Sequence, residues 1–372
     1  SYARTPAELL NSPTFKNLVE SFIDDLETTD PELYAWAVNG KSTRQAKVEI
    51  TKLFRELTIL ECDEVESYYL IEELYNFWKR HQRFSVTNIG SGNALQESSY
   101  VTADSNFNRL IRDIYRNLEQ KVQGRKNKVY RQLQAGTNAA AAVRINKSKL
   151  SARYDRLKEI PMFDSVMLRT PLLLTTRSNK RTGMFVERAD NPVDTFSGNA
   201  DEWFCFPAKI GSMLAFIYFH RDFMCSGISL ANLFEIATAD ECAKKPDLIC
   251  LFGNQDGKNE TTFYHDTEED IWVGSVSYGQ QIEYFGYIKK MSLTLHNLAM
   301  MQKGWLPIHG AFVNITLKDG KRKGIMLMGD SGAGKSESIE ALRALGNEVI
   351  SDIEVVFDDM GTIHIEDGIP YG

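Results

Sequence analysis

The chain has 372 residues, 43% of them hydrophobic and 25% charged, a balance that fits soluble globular folding with room for two or three domains. A formal net charge of −7 gives no general attraction to a polyanion, so nucleic acid is not expected as a partner. No window approaches the roughly 18 consecutive apolar residues of a membrane span, and the opening SYARTPAELL has neither a basic n-region nor an apolar h-region, so no membrane partner and a cytoplasmic location are expected.

From about residue 6 to 82, apolar positions recur at helical spacing in LVESFIDDL, VEITKLFREL and EVESYYLIEELYNFW, separated by the turn-like TTDPE and NGKST. The Phe, Tyr and Trp stripe of this region reads as core or as a domain interface, and a protein partner for it stays open. Residues 87–99, TNIGSGNALQESS, read as a loop before a helical run beginning near Asn106. The basic KVQGRKNKVYR, Lys121 to Arg131, reads as a solvated face. The alanine run Ala139 to Val143 suggests close helix packing.

After about residue 160 the pattern changes to short apolar runs rich in β-branched and aromatic residues, such as VMLRTPLLLTT, GMFVER, MLAFIYF, DLICLF and GAFVNITL. The second half is therefore expected to be α/β, mixed α+β, after a mostly helical N-terminal region. The five cysteines (Cys62, Cys205, Cys225, Cys242, Cys250) are odd in number and lack CxxC spacing, which points to free thiols.

The segment GIMLMGDSGAGKSESIEALRALG holds the strongest chemical signal. An apolar strand, Ile325 to Met328, precedes Gly329, Asp330, Ser331, Gly332, Ala333, Gly334, Lys335 and Ser336, and a helical pattern follows. This is GxxxxGK[ST] in its strand–loop–helix setting, a P-loop. Its glycines let the backbone wrap a phosphate, and the loop N–H groups and the helix N-terminus supply positive potential. Lys335 is expected to reach the β- and γ-phosphates, and Ser336 the Mg2+ that accompanies ATP. Downstream, EVISDIEVVFDD offers Asp352, Glu354, Asp358 and Asp359 as a second cation-binding or base element. A strand beside the P-loop strand would deliver Asp352 near the γ-phosphate. His81, His220, His265, His296 and His364 lack partners at metal spacing; of these, His296 lies on the same helical stretch as Lys289 and Lys290.

The stretch YFGYIKKMSLTLHNLAMMQKGWLPIH, Tyr284 to His309, resembles the YxGxxKK…N…G…H segment of the phosphoenolpyruvate carboxykinases, the ATP-dependent type above all. Tyr284, Gly286, Lys289, Lys290, Asn297, Gly304 and His309 fall in register. Upstream, LLLTTRSNKRTGMFVERADNPVDTF is similar to that family's TGRSPKDK…V…DTF element, and downstream VISDIEVVFDDMGTIHIEDGIPYG is similar to its LIGDDE…G…EGGCY run. The resemblance spans about residues 170 to 372 and implies a carboxykinase-like P-loop core. It divides the chain into a helical region, 1–155, a substrate-binding α/β domain, 156–282, and a P-loop domain, 283–372, which is expected to be incomplete.

Carried over, Lys290 and His309 become ligands of a dication, Mn2+ in that family, at which oxaloacetate, a small dicarboxylate, binds. Arg177 becomes a carboxylate clamp and Tyr284 and Lys289 substrate contacts. The implied reaction converts oxaloacetate and ATP to phosphoenolpyruvate. The position of the family's third metal ligand, the second aspartate of DDE, is Ile353 here, so Asp352 or Glu354 is expected to stand in. The spelling GDSGAGKSE and the preceding IHGAFVNI resemble the HPr kinase/phosphorylase family, which implies a hydroxyl acceptor instead, with Asp352 and His309 in proton transfer. A third alternative is a regulator whose P-loop senses ATP without turnover.

Overall fold

The computed structural model describes residues 3–56, 64–89, 97–170, 172, 175–329 and 332–372. Cys62, the GSGNALQ part of the expected loop, and Asp330 and Ser331 of the P-loop lie outside them. The fold is mixed α/β, with 42% helix and 27% strand, which matches the expected class. Two compact units form: Ser1–Val143 with Ser165–Thr175, and Arg144–Asp164 with Thr176–Gly372. The second contains most of the span of both expected C-terminal domains.

The first unit opens with α1 (Pro6–Leu10), α2 (Pro13–Thr29) and α3 (Pro31–Val38). Each begins with the same device: Thr5, Ser12 and Asp30 accept the N–H three residues on, at 3.2, 3.1 and 3.1 Å. A proline follows each cap at the first helical position, where its missing N–H costs nothing. Then come α4 (Thr43–Glu56), α5 (Glu64–Arg80), β1 (Phe84–Asn88) and α6 (Glu97–Val122). Phe15, Val19, Phe22, Ile23 and Leu26 of α2 share one face and are buried against Ile50 and Phe54, Ile71 and Phe77, and Ile114 and Leu118 of the later helices. Much of the aromatic stripe is core: Phe22 and Phe77 pack with ring centroids 5.7 Å apart.

The alanine run is not helical. It forms β2 (Ala139–Arg144), parallel to β1 in the register Phe84↔Ala139. Ala139 to Val143 are all buried, and here tertiary pairing overrides alanine's helix propensity.

The second unit begins with α7 (Asp155–Lys158), the first three residues of β3 (Met162–Leu168) and β4 (Val186–Glu187). It continues with β5 (Trp203–Ile210), β6 (Met213–His220), α8 (Met224–Ser229), β7 (Glu235–Ile236), α9 (Ala239–Cys242), β8 (Leu248–Asn254), β9 (Thr261–Asp266) and β10 (Ile271–Ser277). These strands lie in the order β3-β5-β6-β8-β10-β9-β4, with β7 on β5. β6, β8 and β10 run parallel to one another and read as nearly continuous apolar runs, because both faces of that stretch are covered.

Helix α10 (Gly286–Gln302) lies against β10. The approach is close enough that a Cβ at Gly274 would meet Met291 Sδ at 2.5 Å, so a bare backbone is needed there. After it come β11 (Leu306–Ile308), β12 (Gly310–Leu317), β13 (Arg322–Met328), α11 (Lys335–Leu345), β14 (Ile350–Asp358), β15 (Gly361–Glu366) and β16 (Ile369–Tyr371). Two small sheets result, β13-β12-β14 and β11-β15-β16. Ala311, Val313 and Ile339 of α11 form the core beneath the first, with Ile353 packed against them.

Candidate functional site

β12 lies between β13 and β14 and runs antiparallel to both, so those two strands run parallel and end together. Gly310 pairs with Met328 and Ala311 with Asp358, which puts the start of the P-loop and the C-terminus of β14 at one edge. The loop then turns into α11 through Gly332 and Gly334, with φ of 83° and 82°, a region that favours glycine. Gly334 caps α11 with no side-chain hydrogen bond, and a helix N-terminus entered through a glycine-rich loop is an arrangement that binds anions. The Lys335 ammonium donates to the Gly329 carbonyl at 2.8 Å. Ser336 Oγ donates to Asp358 Oδ2 at 3.0 Å.

The next residue, Asp359, occupies the turn between β14 and β15 with φ of 84°, a conformation aspartate tolerates better than most side chains. Three donors converge on it. Lys289 Nζ and Lys290 Nζ stand 2.8 and 2.9 Å from Oδ2, and His309 Nε2 stands 3.3 Å from Oδ1. Two lysines come from the first turn of α10. His309 comes from the junction of β11 and β12, held beside the turn by the pairing Ile308↔Gly361. Burial pushes the Asp359 carboxyl up, but hydrogen bonds and charge from Lys289 and Lys290 outweigh it and hold the group down at about 2.

This geometry brings Lys289, Lys290 and His309 together on Asp359, one of the four acids that the sequence offered. Asp352 pairs with Thr316, opposite the start of β13 rather than its end. Six residues of strand separate it from Asp358, roughly 20 Å at ~3.3 Å per residue, so it does not stand at the P-loop edge. Glu354 is engaged by Arg322 Nη2 at 3.0 Å, and Ile353 is partly buried, packed against Ala311, Val313 and Ile339. What favours Asp358 and Asp359 among the four acids of the run is their place at its end, where a strand stops and a turn begins.

Arg177 lies elsewhere in the second unit, with its guanidinium exposed. Its N–H and Nε donate to Glu283 at 2.8 and 2.6 Å, and the hydrogen bond from Arg177 holds the Glu283 carboxyl below its ordinary value. Tyr284, next in sequence, is half-buried.

No family model matches the chain, and no curated protein matches it significantly. Nor, among the described residues, is there a group of three His, Cys, Asp or Glu side chains arranged for a metal. The group here differs in containing a lysine. The Lys290–Asp359 and His309–Asp359 separations, 2.9 and 3.3 Å, are those of direct ion pairs, and neighbouring ligands of an octahedral dication with bonds of ~2.1 Å would stand at a similar spacing, about 3.0 Å.

Proposed function

We propose that the second unit is an ATP-dependent phosphoryl-transfer centre of the carboxykinase type. The observation that supports this most is the meeting of Lys290, His309 and Asp359 one residue from the Asp358–Ser336 contact. On this reading the amides from Gly329 to Ser336 cradle the nucleotide phosphates, and Lys335 turns from the Gly329 carbonyl to the β- and γ-phosphates. Ser336 and Asp358 face the Mg2+ of the nucleotide. Lys290, as the neutral amine after giving up its proton to solvent, would hold a second dication together with His309 and Asp359, Mn2+ by the family resemblance. When bound, it supplies positive charge against the oxygen on which negative charge develops.

With oxaloacetate as substrate, the bond to the departing carboxylate breaks and carbon dioxide leaves. The electron pair passes to the enolate oxygen, which forms a bond to the γ-phosphorus as ADP departs. Lys289 is placed to add charge beside the reacting oxygens, while Arg177 and Tyr284 are assigned to the substrate. A second reading, in which a hydroxyl is the acceptor as in the HPr kinase/phosphorylases, is favoured by one contact: the Arg177 fork that would clamp a substrate carboxylate is held by Glu283.

The test is conversion of oxaloacetate and ATP with Mg2+ and Mn2+, run beside a panel of hydroxyl acceptors. The proposal expects phosphoenolpyruvate, lost in Lys335→Ala and in Lys290→Ala. Transfer only to a hydroxyl would replace it with the second reading. Nucleotide binding with no transfer to any acceptor would reduce the centre to a sensor and refute both.

A further inference from the structure

One face of α10 lines a cavity that also reaches the Asp359 group. Lys289, Leu293, His296 and Met300 recur every three or four residues and line a cavity of about 560 Å3 within the second unit. The opposite walls are the turn from β5 to β6, Phe234, Trp305 and the turn from Val356 to Thr362, which includes Asp358 and Asp359. The volume is that of small-molecule sites.

The chemistry of the walls restricts the occupant. Two lysines reach the cavity, and each is already neutralised. Lys209 Nζ stands 3.1 and 3.4 Å from Glu235 and Glu241, and Lys289 is paired with Asp359. Asp358 accepts from Ser336. No arginine is among the lining residues. A charged ligand would lose its hydration without a free counter-charge to replace it.

Beside the hydroxyls of Ser212 and Thr362, the described lining holds one imidazole. His296 is 8% exposed, and burial lowers its pKa, which keeps the imidazole neutral. Its Nδ1 lies 3.4 Å from Asn297 Oδ1. With the proton assigned to Nδ1 to make that bond, Nε2 is an acceptor, and among the described residues it has no partner. Nε2 lies at the wall formed by Gly211, where an added Cβ would stand 3.2 Å away. Around it the surfaces are Leu293, Phe234, Met300 and Trp305, whose indole stacks on His364 at 3.9 Å.

We propose that this cavity is a binding site for a small neutral molecule with an apolar or aromatic body and one hydroxyl, which donates to His296 Nε2. The inference is independent of which acceptor the phosphoryl centre uses. Its occupant lies beside Asp358 and Asp359, which line the same cavity, and is therefore placed to influence the proposed cation site.

The test uses phenethyl alcohol as probe, with phenylacetate as its charged counterpart of similar shape, on the full chain labelled with nitrogen-15 in histidine. The alcohol should move the His296 imidazole resonances saturably, and the carboxylate should need at least about tenfold more. Leu233→Trp and Leu293→Trp each push an indole into the space. Leu233 is 45% exposed, so its replacement is compatible with folding, and it should weaken the alcohol by about tenfold or more. The proposal is overturned if the alcohol leaves His296 unmoved up to its solubility, if phenylacetate binds as well, or if both tryptophan variants bind like the parent.

Discussion

Replacing Asp359 with asparagine tests the charge balance at the centre of the site. The carboxamide keeps the size of the side chain, so no cavity opens, but it removes the anion on which Lys289, Lys290 and His309 converge. A carboxyl lowered from 3.8 to about 2 is stabilised in its ionised form by about 2.4 kcal/mol, at ~1.36 kcal/mol per pH unit. Its side chain is 28% exposed, so solvent screening trims this, and a loss of about 1–2 kcal/mol is expected near neutral pH. Urea unfolding without added dication measures it. The pH dependence has a definite sign: a depressed carboxyl contributes its full stability above about pH 4 and loses it as pH falls toward about 2. The difference between variant and parent should therefore shrink to about half near pH 3. Equal stability near neutral pH, or a gap that widens on acidification, would refute the reasoning.

Other outcomes separate the structural assignments. Asp352→Asn should leave binding of Mg2+ and ATP within about twofold of the parent, whereas Asp358→Asn should weaken it by about tenfold; equilibrium binding of a fluorescent ATP analogue reads both, and the reverse order would break the β12–β14 register argument. Gly334→Ala places a side chain at a φ of 82°, costing about 1 kcal/mol, and should lower nucleotide affinity in the same assay; unchanged affinity would show that the loop does not keep this conformation. Glu283→Gln frees the Arg177 fork, and on the carboxykinase reading the apparent KM for oxaloacetate should fall at least threefold or so. A KM that stays fixed or rises would remove Arg177 from the substrate site.

Much of this could be read from the order of residues, because the signals were local. Pro after Thr5, Ser12 and Asp30 marks three helix starts, and the α2 stripe from Phe15 to Leu26 marks its buried face. The apolar runs at Met213–His220 and Leu248–Asn254 are strands as expected, and a strand before and a helix after the glycine-rich loop are in place. What failed depended on pairing. Ala139 to Val143 looked helical until a parallel neighbour claimed it. The DIE triplet looked like the metal-binding aspartates because the family spacing was counted along the chain. In space, β14 ends six residues further on, at Asp358 beside the start of the glycine-rich loop, and on the proposed reading Asp358 and Asp359 take that role. The role of Ile353 could not be read without the β-sheet face on which it is packed.

The most direct measurement of the central claim is pulsed electron paramagnetic resonance of Mn2+ bound to the protein with ATP. Direct coordination by His309 and Lys290 predicts strong nitrogen modulation of the Mn2+ spin echo, diminished in His309→Gln and in Lys290→Met. Tightly bound Mn2+ with no nitrogen modulation, or modulation that both variants leave intact, would contradict the account.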